Sequence, residues 1–173
     1  TAIRMQYPCW LMPVDTFLTL SELRPHHELR AAGKLVQWDA TMETVFFLSH
    51  QWTSFDRPDH STAQLRAVQK ILLRMLDGKL PKTAPNFVDA LRLPSNIQVE
   101  SHEWKEIVPH AHVWLDYISV PQVMTTYTEL STGGEGQTSD LMRAVNSIPA
   151  YIERSSHFLS IVPTVRAEMI VSP

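Results

Sequence analysis

The sequence predicts an α/β fold, a Rossmann-like three-layer domain with a mainly parallel sheet. Three apolar runs carry this prediction: residues 44–48, 112–118 and 157–162. Each run is short and nearly continuous, which is typical of a strand buried on both faces of a sheet. Segments with helical periodicity separate the runs, and this alternation favours parallel strands covered by helices.

The first run, Val45–Leu48, ends at polar residues, and the clearest helix of the chain follows it. Apolar residues recur there at the spacing of one helix face. Ser61 and Gln64 fit a capping box at its start, and Gly78 suits the left-handed position after its end. The apolar positions of this helix are Leu65, Val68, Leu72, Met75 and Leu76.

The chain is expected to have two parts. Residues 1–43 are predicted to be an irregular lead-in and a helix that pack on the domain, with the helix capped near Ser21 and with His26 on its solvated face. Residues 44–173 form the α/β domain itself, which we expect to be truncated at its C-terminus. Within it, residues 79–109 are interrupted by prolines and are predicted to be an insertion that contains a short helix.

A further helix is predicted before the third strand. Thr138 or Ser139 would cap it, and Pro149 lies within its apolar pattern, so the helix should kink or restart there. A glycine cluster at residues 133–136 comes just before this helix. Its backbone N–H groups would suit a phosphate, but without a Gly-Lys-Ser/Thr sequence a flexible loop is the alternative.

Composition narrows the class of protein. A chain of 173 residues suits one domain, and a formal net charge of −3 gives no electrostatic basis for binding nucleic acid. No apolar run approaches the roughly 20 residues that span a membrane. Cys9 is the single cysteine, so an intrachain disulfide is excluded and a reducing, cytoplasmic location is expected. Beside Pro8 and Trp10, Cys9 is expected to be buried packing rather than a reactive thiol.

Polar side chains follow the first two predicted strands. Because neighbouring parallel strands end at one edge of a sheet, and ligands bind outside the carboxyl ends of such strands, these side chains mark a candidate site. The five residues expected there are Ser49, His50, Trp52, Asp116 and Gln122. Their hydroxyl, imidazole, indole, carboxylate and amide groups suit a small polar ligand with an aromatic ring, such as a nucleotide. The alternative is a pair of strands that lead into ordinary loops.

Two other kinds of site stay open. A Ser-His-Asp hydrolase would use Ser49, His50 and Asp116, although neighbouring residues of an extended chain point apart and a Gly-x-Ser-x-Gly sequence is absent. A metal site would need a cluster of imidazole and carboxylate ligands. The candidate ligand sets are His50, Asp56, Asp59 and His60, or His110 and His112.

Three motifs in order resemble the fungal heterokaryon-incompatibility (HET) domain. They are Leu48-Ser49-His50-Gln51-Trp52, then Trp114-Leu115-Asp116-Tyr117-Ile118-Ser119-Val120-Pro121-Gln122, then Ala144–Tyr151 before a strand. The succession of strands and helices over residues 44–163 is also similar to the broader Toll/interleukin-1 receptor (TIR) fold. His50 stands where the HET domain has tyrosine and Pro121 where it has asparagine, which indicates a divergent branch.

The resemblance implies an innate-immunity or cell-death signalling module that binds NAD or a related nucleotide. Many TIR-like domains cleave NAD at the nicotinamide glycosidic bond. NAD glycohydrolase chemistry is therefore expected in the full-length protein, with NAD as substrate and no prosthetic group. The catalytic glutamate of such enzymes lies on the helix after the third strand, where Glu168 is the one carboxylate of residues 164–173. We expect the true helix beyond Pro173.

The resemblance also leaves a second function open. Other TIR-like domains have no catalytic activity and only self-associate. The alternative is therefore a signalling scaffold that forms a homo-oligomer or assembles with other TIR-like domains.

Overall fold

The computed structural model describes residues 2–53, 58–80, 100–122 and 134–162, without the side chains of residues 134–139. Within these ranges the strands are β1 (Trp10–Pro13), β2 (Val36–Gln37), β3 (Val45–His50), β4 (His112–Leu115) and β5 (His157–Ile161). The α-helices are α1 (Val14–Leu18), α2 (His26–Ala31), α3 (Ala63–Leu76), α4 (Ser101–Ile107), α5 (Asp116–Ser119), α6 (Gly134–Asn146) and α7 (Ile148–Glu153). A 3₁₀ turn covers Val108–His110.

The three predicted strands form the parallel part of one sheet. The strand order is β2-β1-β4-β3-β5, and β3 pairs in parallel with both β4 and β5. Phe47 lies opposite Trp114 on one side and Phe158 on the other. The prediction that these three strands are parallel neighbours is therefore confirmed.

The other two strands come from the N-terminal part of the chain. Strand β1 pairs antiparallel with β4, and β2 pairs antiparallel with β1. The expectation of an irregular lead-in is wrong for residues Trp10–Pro13, because Pro8 and Pro13 bound this short strand without interrupting it. The sheet is consequently mixed rather than mainly parallel, and the α/β class is confirmed.

Helices cover both faces of the parallel strands. Phe46 and Leu48 of β3 pack in a core with α3 and α4, which lie on the connection from β3 to β4. Val45 and Phe47 pack in a second core with α6 and α7, which lie on the connection from β4 to β5. Because both faces of β3 are buried, its apolar run has no polar interruption.

The start of α3 differs from the predicted capping box. Thr62 precedes the helix in a left-handed conformation, with φ of 59°, and makes no side-chain cap. The Oδ2 atom of Asp59 instead accepts a hydrogen bond of 2.8 Å from the backbone N–H of Leu65. Ser61 accepts only a long contact of 3.4 Å from the N–H of Ala63, and the side chain of Gln64 is turned into the interior.

Helix α2 begins later than the sequence suggested. Pro25 is its N-cap residue, and the helix starts at His26 rather than near Ser21. His26 is buried, so its placement on a solvated face is wrong. The side chain turns inward because it packs edge-on against the rings of Tyr7 and Trp10.

The remaining elements follow the predictions more closely. The short helix expected between the first two strands is α4, whose Trp104 is buried against Phe46 and His157. A break between α6 and α7 occurs at Ser147, just before Pro149, as predicted. Helix α6 begins at Gly134, earlier than the predicted caps Thr138 and Ser139. The rest of the predicted insertion, residues 81–99, lies outside the described residues.

Candidate binding site at the carboxyl ends of the parallel strands

Asp116 lies at the point where β4 ends and α5 begins. The predicted strand stops at Leu115, and Asp116 is the first residue of a single helical turn. Its Oδ1 atom lies 2.8 Å from Nε2 of His50 and accepts a hydrogen bond of 2.6 Å from the N–H of Tyr117. Its Oδ2 atom accepts a hydrogen bond of 3.0 Å from the indole N–H of Trp52. One carboxylate thus joins the segment after β3 to the start of α5.

His50, the last residue of β3, has both ring nitrogens in contact with oxygen atoms. Its side chain is only 2% exposed, and Nδ1 lies 3.2 Å from Oε1 of Gln64. The amide nitrogen of Gln64 donates to the carbonyls of Gln51 and Pro58, which fixes the amide so that its oxygen faces His50. An amide oxygen and a carboxylate are both acceptors, so each ring nitrogen of His50 faces an acceptor.

The environment of Asp116 favours its ionised form. Burial raises the pKa of this carboxyl. The hydrogen bond and charge of His50, together with the N–H groups of Trp52 and Tyr117, lower the pKa by more than burial raises it. The net effect holds the pKa of Asp116 below its ordinary value of 3.8. Asp116 is consequently a carboxylate at neutral pH.

Trp52 presents part of its ring to solvent while its position is fixed. The side chain is 37% exposed, its N–H is bound to Asp116, and its ring lies at a right angle to Tyr117 with centroids 5.7 Å apart. An exposed indole held at two points offers a flat apolar surface with little loss of side-chain freedom on binding.

The structure brings three of the five predicted edge residues together: His50, Trp52 and Asp116. Ser49 follows the strand alternation to the opposite face and lies in register with Ser160 of β5. Gln122 lies elsewhere, in the lining of a cavity beside α2, with its amide nitrogen donating to the carbonyl of Val120.

Gln64 belongs to this cluster, and sequence reasoning missed its role. The pattern around Ser61 assigned Gln64 to a capping box, and a helix-start motif gives no sign that the side chain turns toward the sheet. Glu168, the candidate catalytic residue, lies outside the described residues, as does Asp56.

The hydrolase arrangement is not formed by the described side chains. Both nitrogens of His50 are engaged, by Gln64 and Asp116, so neither activates the hydroxyl of Ser49. Nor does the described part of the chain contain three or more imidazole, thiol or carboxylate groups grouped as metal ligands. Asp59 binds the first turn of α3, and His112 begins β4 at the end opposite Asp116.

Cys9 is buried, as predicted. Burial raises the pKa of its thiol to about 12, which the charge of Arg154 only partly opposes. A thiol in this state is a packing group rather than a nucleophile.

Comparison of the chain with family models, curated proteins and solved structures found no match. In the described ranges, no helix combines the length and the apolar character that crossing a membrane requires.

Proposed function

We propose that this chain is a TIR/HET-like module that binds NAD or a related nucleotide at the carboxyl ends of its parallel strands. The observation that carries the proposal is the half-exposed indole of Trp52, held by the carboxylate of Asp116. Such a pair matches the two parts of a nucleoside, because an aromatic surface stacks on a base and a carboxylate binds ribose hydroxyls.

The order of the parallel strands supports this location. β4 lies on one side of β3 in the sheet, and the chain then crosses back over β3 to form β5 on its other side. The helices of these two connections pack on opposite faces of the sheet. In open α/β sheets, ligands bind at the carboxyl ends of strands where the direction of connection reverses. Here that point lies at the ends of β3 and its two neighbours, next to His50 and Asp116.

Asp116 retains acceptor capacity for a ligand. A carboxylate has about four lone-pair positions, and His50, Trp52 and the N–H of Tyr117 use three of them. The side chain of Asp116 is 38% exposed, so a ribose hydroxyl would reach it from solvent. The pairing with His50 keeps the carboxylate ionised and fixed in direction, which favours a charge-assisted hydrogen bond.

Titration with NAD and ADP-ribose tests this proposal. Replacing Trp52 by alanine removes the stacking surface, which we expect to weaken binding roughly tenfold, since stacking on one base is worth about 1–3 kcal/mol. Asp116→Asn should weaken binding as well. Ile71→Ala is the matched control, because Ile71 is a large exposed apolar residue on α3. Equal affinity of wild type and a folded Trp52→Ala variant would refute the proposal.

The proposed chemistry, cleavage of the nicotinamide bond, rests on the resemblance and concerns the full-length protein. The transition state carries positive charge on the ribose, and a fixed carboxylate near that carbon stabilises it. The family places this carboxylate one helix after β5, where Glu168 is the candidate. Because losing such a group costs on the order of 10²–10³ in rate, residues 1–173 are expected to bind a nucleotide weakly without appreciable turnover.

The rate of nicotinamide release tests whether Glu168 or a residue beyond Pro173 supplies the catalytic carboxylate. It is measured for residues 1–173, for a chain extended at its C-terminus, and for Glu168→Gln. Robust turnover by residues 1–173 that is lost in Glu168→Gln would identify Glu168 as the catalytic residue. Turnover that needs the extension would place the carboxylate beyond Pro173.

The alternative function, a self-associating scaffold, is favoured by one observation. Strand β5 is the outer strand of the described sheet, and Phe158 on it is 56% exposed although it stacks on Phe47. An outer strand with an exposed aromatic residue is a surface on which a second chain can pair. Sedimentation of wild type, Phe158→Ser and the control Ile71→Ser tests it, with loss of oligomers expected in Phe158→Ser alone.

A further inference from the structure

The groups that would meet a nucleotide belong to a closed ring of contacts. His50 contacts Oδ1 of Asp116 at 2.8 Å through its Nε2 atom and Oε1 of Gln64 at 3.2 Å through its Nδ1 atom. The amide nitrogen of Gln64 donates a hydrogen bond of 2.8 Å to the carbonyl of Gln51, which directly precedes Trp52 in the chain. The indole N–H of Trp52 donates to Oδ2 of Asp116 at 3.0 Å and so completes the ring.

This ring has an exposed side and a buried side. The exposed side consists of Trp52, which is 37% exposed, and Asp116, whose side chain is 38% exposed. On the buried side, Gln64 and the side chain of His50 are each 2% exposed. A ligand that binds from solvent would touch Trp52 and Asp116 but not Gln64. An effect of Gln64 on binding therefore has to act through the other members of the ring.

The backbone of Gln64 has a fixed position. Gln64 lies in the first turn of α3, a helix of 14 residues whose buried side includes Leu65 and Val68. The first turn is held by the hydrogen bond of 2.8 Å from the N–H of Leu65 to the carboxylate of Asp59. Because a packed and capped helix carries Gln64, the helix sets the position from which its amide group reaches the ring.

The amide group of Gln64 also ties together the two sides of the segment that contains Trp52. Its nitrogen lies 2.8 Å from the carbonyl of Gln51, before Trp52, and 3.4 Å from the carbonyl of Pro58, after it. The Pro58 carbonyl also accepts hydrogen bonds of 3.0 and 3.1 Å from the N–H and the hydroxyl of Thr53. An amide nitrogen has two N–H donors, one for each carbonyl, while its oxygen remains for His50. One side chain thus holds the backbone around Trp52 and the imidazole behind Asp116.

We propose that Gln64 is a positioning residue of the nucleotide site, which preorganises Trp52 and Asp116 for binding from the buried side of the ring. This inference rests on the function proposed above. A side chain that is already held in its binding orientation loses less freedom when a ligand binds. Gln64→Met keeps the length of the side chain and removes its amide group, so affinity should fall about five- to tenfold although no ligand contact is lost.

A second buried glutamine of α3 separates positioning from stability. Gln69 is also buried, and its amide nitrogen also donates to backbone carbonyls, but these belong to residues 17, 18 and 20, outside the ring. Gln64→Met and Gln69→Met should both destabilise the chain, since each leaves carbonyls without a donor. Only Gln64→Met should weaken the binding of ADP-ribose, measured where both variants are folded. Equal affinity of wild type and folded Gln64→Met, or equal losses of affinity in the two variants, would overturn the proposal.

Hydrogen exchange of the Trp52 indole provides a readout that needs no nucleotide. This hydrogen is bound to Asp116, so NMR should show slow exchange with solvent in wild type although the ring of Trp52 is partly exposed. Exchange should be several-fold faster in Gln64→Met and close to the wild-type rate in Gln69→Met. The side-chain amide hydrogens of Gln64 in wild type should also exchange more slowly than those of the exposed Gln37. Exchange of both amides at the same rate would overturn the proposal without any variant, and so covers the case in which Gln64→Met does not fold.

The two readouts distinguish failure of this inference from failure of the proposed function. If wild type does not bind ADP-ribose and Trp52 exchange still depends on Gln64, the nucleotide function is refuted and the positioning of Trp52 by Gln64 stands. If wild type binds ADP-ribose while both affinity and Trp52 exchange are unchanged in Gln64→Met, the nucleotide function stands and the positioning role is refuted.

Discussion

The imidazole of His50 and the carboxylate of Asp116 meet at 2.8 Å, and this contact joins the end of β3 to the first residue of α5. On its other side the imidazole contacts Gln64, in the first turn of α3. Three elements therefore converge on one ring with almost no exposure to solvent. The same contact that fixes the candidate site also joins these elements, so we expect substitutions here to affect both stability and binding.

Removing the charge of Asp116 should destabilise the fold. In Asp116→Asn one amide N–H faces either the N–H of His50 or that of Trp52, because an amide has only one oxygen. We expect a loss of about 2 kcal/mol in the free energy of unfolding, the usual cost when a buried hydrogen-bonding group is left unsatisfied. Urea unfolding of both proteins measures it.

An exposed ion pair of the same length provides the control for that experiment. Lys79 and Asp77 also meet at 2.8 Å, but both side chains lie mostly in solvent. Solvent and salt screen an exposed pair, so Asp77→Asn should change stability little. Equal losses in Asp77→Asn and Asp116→Asn would mean that burial of His50 adds nothing to its pairing.

Acid should remove the contribution of Asp116. Its pKa in the fold lies below the ordinary 3.8, because the donors around it outweigh the effect of burial. The unfolded chain therefore binds a proton at higher pH than the folded chain does, and stability must fall as pH decreases. The contribution is fully present above 3.8 and is lost as pH falls through the lower, folded pKa.

The measurement is urea unfolding of wild type and Asp116→Asn at a series of pH values. The contributions of the carboxyl groups that both proteins share cancel in the difference between their free energies of unfolding. The stability advantage of wild type over the variant should shrink as pH falls below 3.8. An advantage that grows on acidification would reverse the assigned direction of the pKa shift.

The sequence was sufficient for the parallel strands and for part of the site. The unbroken run Val45–Leu48 requires burial on both faces, and that requirement alone implies helices on both sides of β3. Parallel neighbours end at one edge of a sheet, and Trp52 and Asp116 meet there through a hydrogen bond of 3.0 Å, whereas Ser49 and Gln122 do not join them. These features follow from periodicity and chain direction, which a sequence displays directly.

The buried polar side chains were beyond such reasoning. His26, Gln64 and Gln69 look like ordinary surface residues of helices, yet all three are buried. Each is held by a backbone carbonyl or a side chain distant in sequence, as His26 is by the carbonyl of Ile118. Such a partner depends on the final position of a turn, which no local pattern encodes. The cavity beside α2, which His26 lines, could not be predicted for the same reason.

Gln69 is polar and lies on a helix, but it is buried, and we expect it to contribute strongly to the stability of the fold. From α3 its amide nitrogen reaches the carbonyls of Phe17, Leu18 and Leu20 at 2.9–3.3 Å, and so closes the end of α1. Gln69→Leu would leave these carbonyls without their donor, at an expected cost of about 1–3 kcal/mol in the free energy of unfolding. Lys70→Leu, at the neighbouring exposed position, should change stability by less than about 0.5 kcal/mol. Thermal and urea unfolding compare them, and similar losses would contradict the role of Gln69.

Cys9 should be protected from thiol reagents for as long as the chain is folded. Its side chain is buried, and burial raises its pKa to about 12, so the thiolate that reacts is scarce as well as inaccessible. The measurement is the rate of reaction with a disulfide reagent at neutral pH, with and without urea. Cys9→Ala combined with Ile71→Cys is the matched control, since position 71 is exposed. We expect the control to react at once, and Cys9 of the native chain to react only as fast as the fold opens, with a rate that rises steeply with urea. Immediate reaction of native Cys9 would show that the core between β1 and the helices α6 and α7 is open to solvent.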